Sequence, residues 1–272
     1  MTAHDVGMLV LLGHPVRQSV SPIVQNAALR AAGLPLTYEA LDVEPGALGD
    51  RVRALAARRA AGNVTIPHKA AVAAMCATLT PVAQRAGAVN TFWVEQGALA
   101  GDNTDVGGFD HLARRVLSSI PLGARVAVLG AGGAAAAVLT AVERWPGAHV
   151  TLCNRTPARA DALAARFPVV DRIAARAQDA VSDCTVVVNA TPAGMTDDGV
   201  PVDAAILPDA VGVIDLVHRQ GETRWVRDAR ARGLRAGDGL AMLIEQGALA
   251  FEQWFGIEAP RDVMWGAACD PR

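Results

Sequence analysis

Apolar and polar positions alternate along the chain in short blocks that predict strands and helices in turn. In the first part of the chain, short apolar runs predict strands at 8–12, 36–43, 64–66 and 88–94. After the second run, Leu48, Val52 and Leu55 recur at the spacing of a helix. Strands that alternate with helices predict an α/β protein with mainly parallel sheets.

Proline and glycine mark the predicted ends of several helices. Ser21 is predicted as an N-cap with Pro22 at the first helical position, and Gly33 as the stop of the same helix. The same start signal, threonine before proline, recurs at 80–81 and at 156–157.

The second half of the chain continues the alternation from residue 125. It predicts strands at 126–129, 150–152, 185–188 and 213–216, a helix from Pro157 and a long final helix at 240–255. The uncharged stretch 126–142 is short for a bilayer span and rich in alanine and glycine. It therefore predicts a buried strand, turn and helix.

Composition and charge exclude several classes of protein. The 272 residues are 51% hydrophobic with a net charge of −2, which is typical of a soluble protein of one or two domains. So small a charge predicts no nucleic-acid and no membrane partner. The first residues lack the features of a signal peptide. The cysteines lie far apart, so we expect no metal site, no disulfide and a reduced cytoplasmic protein.

A glycine turn is the first candidate for chemistry. Gly130, Ala131, Gly132 and Gly133 directly follow the apolar strand and precede an alanine-rich helix. Glycines there let backbone N–H groups approach a pyrophosphate, which the helix N-terminus also attracts. The alternative is a purely structural turn, because a glycine turn alone is a weak signal.

The end of the next strand indicates which dinucleotide would bind. It carries Asn154, Arg155 and Thr156, with Arg159 four residues after Arg155. A NAD site would place an acidic residue here for the ribose 2′-hydroxyl, and this strand end carries none. The two guanidinium groups favour a 2′-phosphate and hence NADP, although they also fit a solvated helix start. Segment 189–195 follows a third strand and is either part of this crevice or a plain turn.

Two polar clusters in the first half suggest acid–base chemistry. Lys69 follows a predicted strand and is expected three residues before a helix, and Asp105 closes the glycine-flanked run 101–105 as a predicted N-cap. Taken singly, the lysine fits a solvated surface residue and the run fits a loop. Together they supply a proton donor and a carboxylate, which the reduction of a ketone requires.

Several separated motifs, in this order, resemble those of the shikimate dehydrogenase family over nearly the whole chain. They are GxP at 13–15 with SxSP at 19–22, NVTxPxK at 63–69, GAVNT at 87–91, GDNTD at 101–105, the glycine turn at 130–133, NRT at 154–156, NATPAGM at 189–195 and QGALAF at 246–251.

The resemblance implies a substrate, a cofactor and a set of site residues. The activity would be the reversible NADPH-dependent reduction of 3-dehydroshikimate to shikimate, in the biosynthesis of chorismate and aromatic amino acids. Lys69 and Asp105 would form the acid–base pair. The implied substrate residues are Ser19 and Ser21 for the carboxylate, Thr65, Asn90, Asp102 and Gln246 for ring hydroxyls, and His218. The candidate cofactor residues are Gly130, Ala131, Gly132, Gly133, Ala134, Asn154, Arg155, Thr156, Arg159, Thr191, Met195, Leu216 and Gly239.

The resemblance also implies the domain organisation. A substrate domain would comprise 1–108 and 238–272, and a Rossmann-like NADP domain would comprise 109–237, with the active site in the cleft between them. Monomer and homodimer both stay open.

The chain departs from the family pattern at several positions. Gln18 and Gln25 stand where the family commonly has histidine, Val106 where glycine is usual, His218 where tyrosine is usual and Gln220 where proline is expected. His218 can donate a hydrogen bond and titrates near neutral pH. These departures leave a quinate or amino-substituted shikimate as alternative substrates. A non-catalytic NADP-binding regulator is a further alternative, against which Lys69 and Asp105 argue.

Overall fold

A computed structural model of the chain describes residues 4–269. The chain divides into two compact units, one running up to Asp105 and resuming at Ile244, and the other spanning Val106–Leu243. Among the described helices, none has the length and apolar character that a bilayer crossing requires. The described cysteines Cys76, Cys153, Cys184 and Cys269 are unpaired.

Strands and helices alternate along the described chain. The strands are β1 (Met8–Gly13), β2 (Tyr38–Asp42), β3 (Ala60–Val64), β4 (Thr78–Leu79), β5 (Thr91–Glu95), β6 (Ala98–Asp102), β7 (Arg125–Leu129), β8 (His149–Cys153), β9 (Val170–Ala174), β10 (Val186–Asn189), β11 (Gly212–Asp215) and β12 (Arg235–Gly237). The helices are α1 (Ser21–Ala31), α2 (Leu48–Ala57), α3 (Lys69–Met75), α4 (Pro81–Ala86), α5 (Asp105–Leu117), α6 (Gly133–Val142), α7 (Pro157–Ala164), α8 (Ala177–Val181), α9 (Arg224–Ala231), α10 (Leu240–Phe255) and α11 (Arg261–Cys269). Short 3-10 turns lie at Pro45–Ala47 and Ala204–Ile206.

The first unit is built on a mixed sheet with the order β2-β1-β3-β5-β6-β4. β1 pairs in parallel with β2 and β3, whereas β5 is antiparallel to both β3 and β6. The buried faces of α2 and α3 pack on one side of this sheet, where Leu48, Val52 and Leu55 join Val10 and Val72 in the core. The helical spacing of those three residues in the sequence is therefore confirmed as the core face of α2.

The second unit is built on a parallel sheet with the order β12-β11-β10-β7-β8-β9. Counted from β7, three strands run outward on one side and the next three run outward on the other, which is the strand order of dinucleotide-binding folds. The order reverses between β7 and β10, and ligands of such sheets bind outside the carboxyl ends of the strands at that point. The predicted α/β class with a Rossmann-like unit is confirmed.

Several predicted elements are confirmed and several were wrong in position. The long helix predicted at 240–255 is α10 (Leu240–Phe255), although α11 follows it without having been predicted, and α4 and α7 begin at Pro81 and Pro157 as predicted. The strand predicted at 64–66 lies earlier, at Ala60–Val64, and the one predicted from 88 begins at Thr91. The expectation of mainly parallel sheets is confirmed, with β5 of the first unit as the strand that runs against its neighbours β3 and β6.

The early position of β3 has a steric cause. Its sequence AAGNV offers few large apolar side chains, so it gives little strand signal. A Cβ atom on Gly62 would lie 1.9 Å from the carbonyl oxygen of Val10 on β1. Close approach of the two strands therefore requires glycine here.

Helix starts were misplaced by one to three residues at three sites. The helix predicted to cap at Ser21 begins at Ser21, with Val20 in the cap position and the Ser21 N–H donated to Ser19 Oγ at 3.2 Å. Lys69 and Asp105, expected before their helices, are the first residues of α3 and α5. Both side chains therefore project from a helix N-terminus.

Candidate active site and cofactor site

Lys69 and Asp105 are in direct contact. The distance from Lys69 Nζ to Asp105 Oδ2 is 2.5 Å, and the two side chains are 18% and 7% exposed. An aspartate in the first turn of a helix is stabilised by the helix dipole, whereas a lysine there is not. The ion pair therefore compensates the unfavourable placement of Lys69 and holds its ammonium group at a defined point.

Lys69 also stands out in the amino-acid composition. It is the one lysine of the chain, and the other 24 of the 25 basic residues are arginine. An arginine guanidinium does not lose its proton in proteins, whereas a lysine ammonium can. In a chain that otherwise uses arginine, the lysine lies at the contact with Asp105. This signal is present in the sequence and strengthens the interpretation that the spacing alone suggested.

The buried amide of Asn90 orients the carboxylate of Asp105. Asn90 Nδ2 lies 2.9 Å from Asp105 Oδ1, 2.9 Å from Thr104 Oγ1 and 3.1 Å from Gln246 Oε1, so its two hydrogens are shared among three acceptors. In return, the Thr104 N–H donates to Asn90 Oδ1 at 2.7 Å. With Oδ1 held by Asn90, the other carboxylate oxygen faces Lys69. The structure thus brings Lys69, Asp105, Asn90 and Gln246 together.

His68 anchors the residue before Lys69. Its side chain is buried, and its Nε2 lies 2.6 Å from the carbonyl oxygen of Val43. Because a carbonyl only accepts, Nε2 must carry a hydrogen. The ring therefore ties the start of α3 to the loop after β2. Sequence reasoning missed His68 and Thr104, which carry no signal apart from their place beside Lys69 and Asp105.

Asp102 stands slightly apart from that cluster. Its Oδ1 accepts from Thr80 Oγ1 and from the Asn103 N–H. Within the described residues, Oδ2 accepts no hydrogen bond, which leaves one oxygen for a ring hydroxyl.

Of the predicted carboxylate and hydroxyl contacts, Ser19 lies in the loop after β1, Ser21 is the first residue of α1, and Thr65 follows β3. They are half-buried, and the described hydrogen bonds do not link them to Lys69. A Cβ on Gly13 would lie 2.4 Å from Thr65 Cγ2, so glycine at 13 lets the two loops approach each other.

The turn between β7 and α6 has the geometry of a pyrophosphate cradle. Gly130 has φ +117°, and a Cβ there would lie 2.6 Å from the carbonyl oxygen of Ala190. A Cβ on Gly132 would meet nothing within 4 Å. Gly132 is the N-cap of α6, and no side chain caps the helix. Exposed backbone at an uncapped helix N-terminus fits a phosphate group.

The end of β8 offers two cations. Arg155 and Arg159 are exposed, and neither forms an ion pair within residues 4–269. Asn154 Nδ2 donates to the carbonyl oxygen of Thr156 at 2.9 Å, and Thr156 precedes α7 without capping it through its side chain. The donor set fits the 2′-phosphate of NADP, which a guanidinium can bind with two parallel hydrogen bonds.

The carboxyl ends of β10 and β11 carry the remaining cofactor candidates. Thr191 donates from N–H and from Oγ1 to Asn189 Oδ1, at 3.0 and 2.6 Å. Met195 is 44% exposed. A Cβ on Gly239 would lie 2.4 Å from the carbonyl oxygen of Leu216. These candidates therefore occupy the edge at which the strand order places a ligand.

The structure shows a more buried environment for His218 than the sequence suggested. Its Nδ1 is buried without a hydrogen-bond partner among the described residues. Burial lowers the pKa of His218, opposed by the charge of Asp238. Burial therefore disfavours the charged form of this ring, an effect that the sequence alone did not indicate. Of the other departures, Gln25 and Val106 are buried, and Gln25 Nε2 donates to the carbonyl oxygen of Gly247 at 2.9 Å.

Family models match three segments that together cover most of the chain. Residues 11–92 match the shikimate dehydrogenase substrate binding domain. Residues 111–196 match shikimate / quinate 5-dehydrogenase, and residues 239–269 match the shikimate 5′-dehydrogenase C-terminal domain.

Relatives and solved structures agree with these matches. A protein of Symbiobacterium thermophilum named shikimate dehydrogenase (NADP(+)) is 44% identical over 96% of this chain and 93% of its own length. The shikimate dehydrogenase structure from Aquifex aeolicus superposes with a TM-score of 0.91 at 32% identity, covering 99% of this chain and 100% of that one. The shikimate 5-dehydrogenase of Thermus thermophilus, in complex with NADP(H) and shikimate, gives a TM-score of 0.87 at 40% identity, covering 96% and 98%.

Proposed function

Because the chain belongs to the shikimate dehydrogenase family, we propose that it catalyses the reversible NADPH-dependent reduction of 3-dehydroshikimate to shikimate. The observation that carries this proposal is the 2.5 Å contact between Lys69 and Asp105, with the carboxylate oriented by Asn90. A binding protein would have no use for a half-buried, transferable proton held at a fixed point. The proposal assigns the chain to aromatic amino acid biosynthesis.

Substrate recognition follows from the polar side chains of the first unit. Ser19 and Ser21 donate to the substrate carboxylate, and Thr65, Asn90, Asp102 and Gln246 meet ring hydroxyls. Hydroxyl donors bind a carboxylate without adding a charge that would compete with Lys69 for Asp105. His218 is proposed as a further substrate residue that acts as a neutral hydrogen-bond partner.

NADP is held by the second unit in this proposal. The 130–134 turn receives the pyrophosphate, and Asn154, Arg155, Thr156 and Arg159 receive the 2′-phosphorylated ribose. The other half of the dinucleotide is proposed to lie over the carboxyl ends of β10, β11 and β12, beside Thr191, Met195, Leu216 and Gly239. Residues 1–108 with 238–272 are thereby proposed as the substrate domain and 109–237 as the NADP domain.

Lys69 is proposed as the proton donor. When bound, the reduced nicotinamide supplies a hydride to the carbonyl carbon. Lys69 Nζ donates its proton to the carbonyl oxygen as the carbon–oxygen π pair moves there, and a hydroxyl results. Asp105 holds the ammonium in place before transfer, and Asn90 holds Asp105. In the reverse direction the neutral amine takes the hydroxyl proton. General acid–base catalysis of this kind contributes about 10²–10⁴ in rate.

The test is the absorbance at 340 nm with NADP and shikimate, quinate or no substrate, for the wild type and Lys69→Ala. The proposal expects shikimate-dependent NADP reduction that falls by about 10²–10⁴ in the variant. Cofactor binding without shikimate turnover but with quinate turnover would move the assignment to the quinate alternative. Binding of NADP with no turnover of either substrate would contradict the enzymatic assignment. A cytoplasmic location and the monomeric or dimeric state stay predictions.

A further inference from the structure

Asp215, the last residue of β11, is a buried carboxylate without a cationic partner. Its side chain is 0% exposed. Asn189 Nδ2 and the Val217 N–H donate to Oδ1 at 2.9 and 3.0 Å, and Thr223 Oγ1 donates to Oδ2 at 2.7 Å. Among the described residues, no lysine, arginine or histidine forms an ion pair with it. A charge buried in this way is costly, so its presence requires a reason.

The three partners of Asp215 fit an ionised carboxylate. The Asn189 amide N–H and the Val217 N–H can only donate, and the Thr223 hydroxyl is able to donate as well. Burial raises the pKa of Asp215, while the hydrogen bonds from Thr223, Val217 and Asn189 oppose that rise. The nearby charge of Asp238 also raises the pKa of Asp215.

Asp215 also connects three segments at the edge of the sheet. Through Asn189 it is connected to Thr191, whose N–H and hydroxyl both donate to Asn189 Oδ1. Through the Val217 N–H it holds the backbone next to Leu216. Through Thr223, whose hydroxyl accepts the Val226 N–H, it is connected to the start of α9. One carboxylate therefore links the ends of β10 and β11 and the first turn of α9.

Strand order indicates which half of the dinucleotide lies nearest. The pyrophosphate cradle follows β7, and the arginines proposed for the 2′-phosphate follow β8, on one side of β7. The other nucleotide must then extend to the opposite side, over the carboxyl ends of β10 and β11. Asp215 ends β11, so its charge lies on the nicotinamide side of the cradle.

We propose that Asp215 makes the second unit bind the oxidised nicotinamide more tightly, relative to the reduced form, than a neutral residue there would. The oxidised ring carries a positive charge and the reduced ring does not, whereas the phosphates are the same in both. A buried negative charge therefore stabilises the charge that develops as the hydride leaves. This inference rests on the proposed NADP role of the unit. A tenfold change in the affinity ratio is about 30 mV in the potential of the bound two-electron couple.

The test compares NADP⁺ and NADPH affinities of the full chain, with NADPH measured by its fluorescence and NADP⁺ by displacement of NADPH. Asp215→Asn removes the charge and keeps the shape, since its amide can donate to Thr223 Oγ1. We expect NADP⁺ affinity to fall relative to NADPH by about 3- to 10-fold at moderate salt. Thr223→Val is the matched control, because it removes a hydrogen bond but leaves the charge, and we expect it to change both affinities by the same factor.

Each outcome decides between roles. Equal changes of both affinities in Asp215→Asn would reduce the residue to a purely positioning role and overturn the proposal. If the asparagine variant does not fold, Asp215→Ser makes the same comparison, and failure of both neutral variants to fold would assign the carboxylate to stability alone. A wild-type chain that binds neither form would instead overturn the proposed NADP role, so the two failures are distinguishable.

Discussion

The cluster around Lys69 and the carboxyl-end edge of the second sheet use their polar groups in opposite ways. Around Lys69 the charged groups already satisfy one another, with the ammonium on Asp105 and that carboxylate on Asn90. At the second edge, backbone N–H groups at the start of α6 and the guanidinium groups of Arg155 and Arg159 have no side-chain partner among the described residues. In the proposed function, the first arrangement holds a proton in position before substrate binds, and the second leaves donors open for phosphate.

The largest expected effect concerns Gly130 and Gly132, two neighbouring glycines at the carboxyl-end edge of the second sheet that should differ in what they contribute to stability. Gly130→Ala would place a Cβ 2.6 Å from a backbone oxygen at φ +117°, whereas Gly132→Ala meets nothing within 4 Å. We expect Gly130→Ala to lower the free energy of unfolding by about 2–4 kcal/mol. Gly132→Ala should leave the ligand-free Tm within a few degrees and still weaken NADP binding. Denaturant unfolding and NADPH titration of both variants check this, and equal stability losses would refute the cradle geometry.

Asn90 tests whether the first cluster is organised before substrate binds. Asn90→Ala removes the donor to Asp105 Oδ1, so we expect kcat to fall by about 10- to 100-fold. Asn103→Ala is the matched control, since Asn103 is also a buried amide, donates to the Ala88 carbonyl at 2.8 Å and does not touch Asp105. Steady-state rates and Tm separate the two. If both variants lose the same activity for the same loss of stability, Asn90 has no specific role.

Arg155 tests whether the guanidinium groups at the carboxyl-end edge of the second sheet bind the 2′-phosphate. Arg155→Ala should raise the Kd for NADPH by about tenfold, the effect of a charge-assisted hydrogen bond, and leave the Kd for NADH nearly unchanged. Titration of both cofactors measures the difference. Equal weakening of NADPH and NADH would exclude the 2′-phosphate as the partner of this guanidinium.

The smallest effect concerns pH. Burial lowers the pKa of His218 from its usual 6.5. As pH falls below that value, the unfolded chain binds a proton that the folded chain does not, so the folded state loses stability until its own lower pKa is reached. His218→Asn removes this loss, and we expect its Tm to fall less than that of the wild type between about pH 7 and about pH 5.5. Parallel Tm curves for the two proteins would contradict the assigned burial.

Much of the fold follows from the sequence, and the exceptions have identifiable causes. The runs of β7, β8 and β10 are buried on both faces and therefore read clearly as strands. β3 was predicted too late in the chain because its residues are small, which allows close packing on β1 but gives little strand signal. The hairpin between β5 and β6 was missed because its turn uses Gln96 and Gly97, both at positive φ, without the asparagine or aspartate that usually signals it.

The sequence indicated the identity of several site residues but not their contacts or their burial. Spacing and resemblance pointed to Lys69 and Asp105, and the structure adds their contact and the orienting role of Asn90. His68 and Asp215 were not singled out, because a buried histidine and a strand-ending aspartate have no meaning until their partners are known. The lowered pKa of His218 was likewise not predictable, since burial is a property of packing and not of one residue.

The central claim is that Lys69 donates the proton, and Lys69→Arg tests it most directly. Arginine keeps the positive charge and can keep the ion pair with Asp105, but it cannot give up a proton. Shikimate oxidation should be followed at 340 nm, with NADPH binding measured on the same preparation. We predict cofactor affinity close to that of the wild type and a kcat lower by about 10²–10⁴. A kcat within about fivefold of the wild type would show that the charge of residue 69 suffices and would contradict the assignment of Lys69 as the general acid.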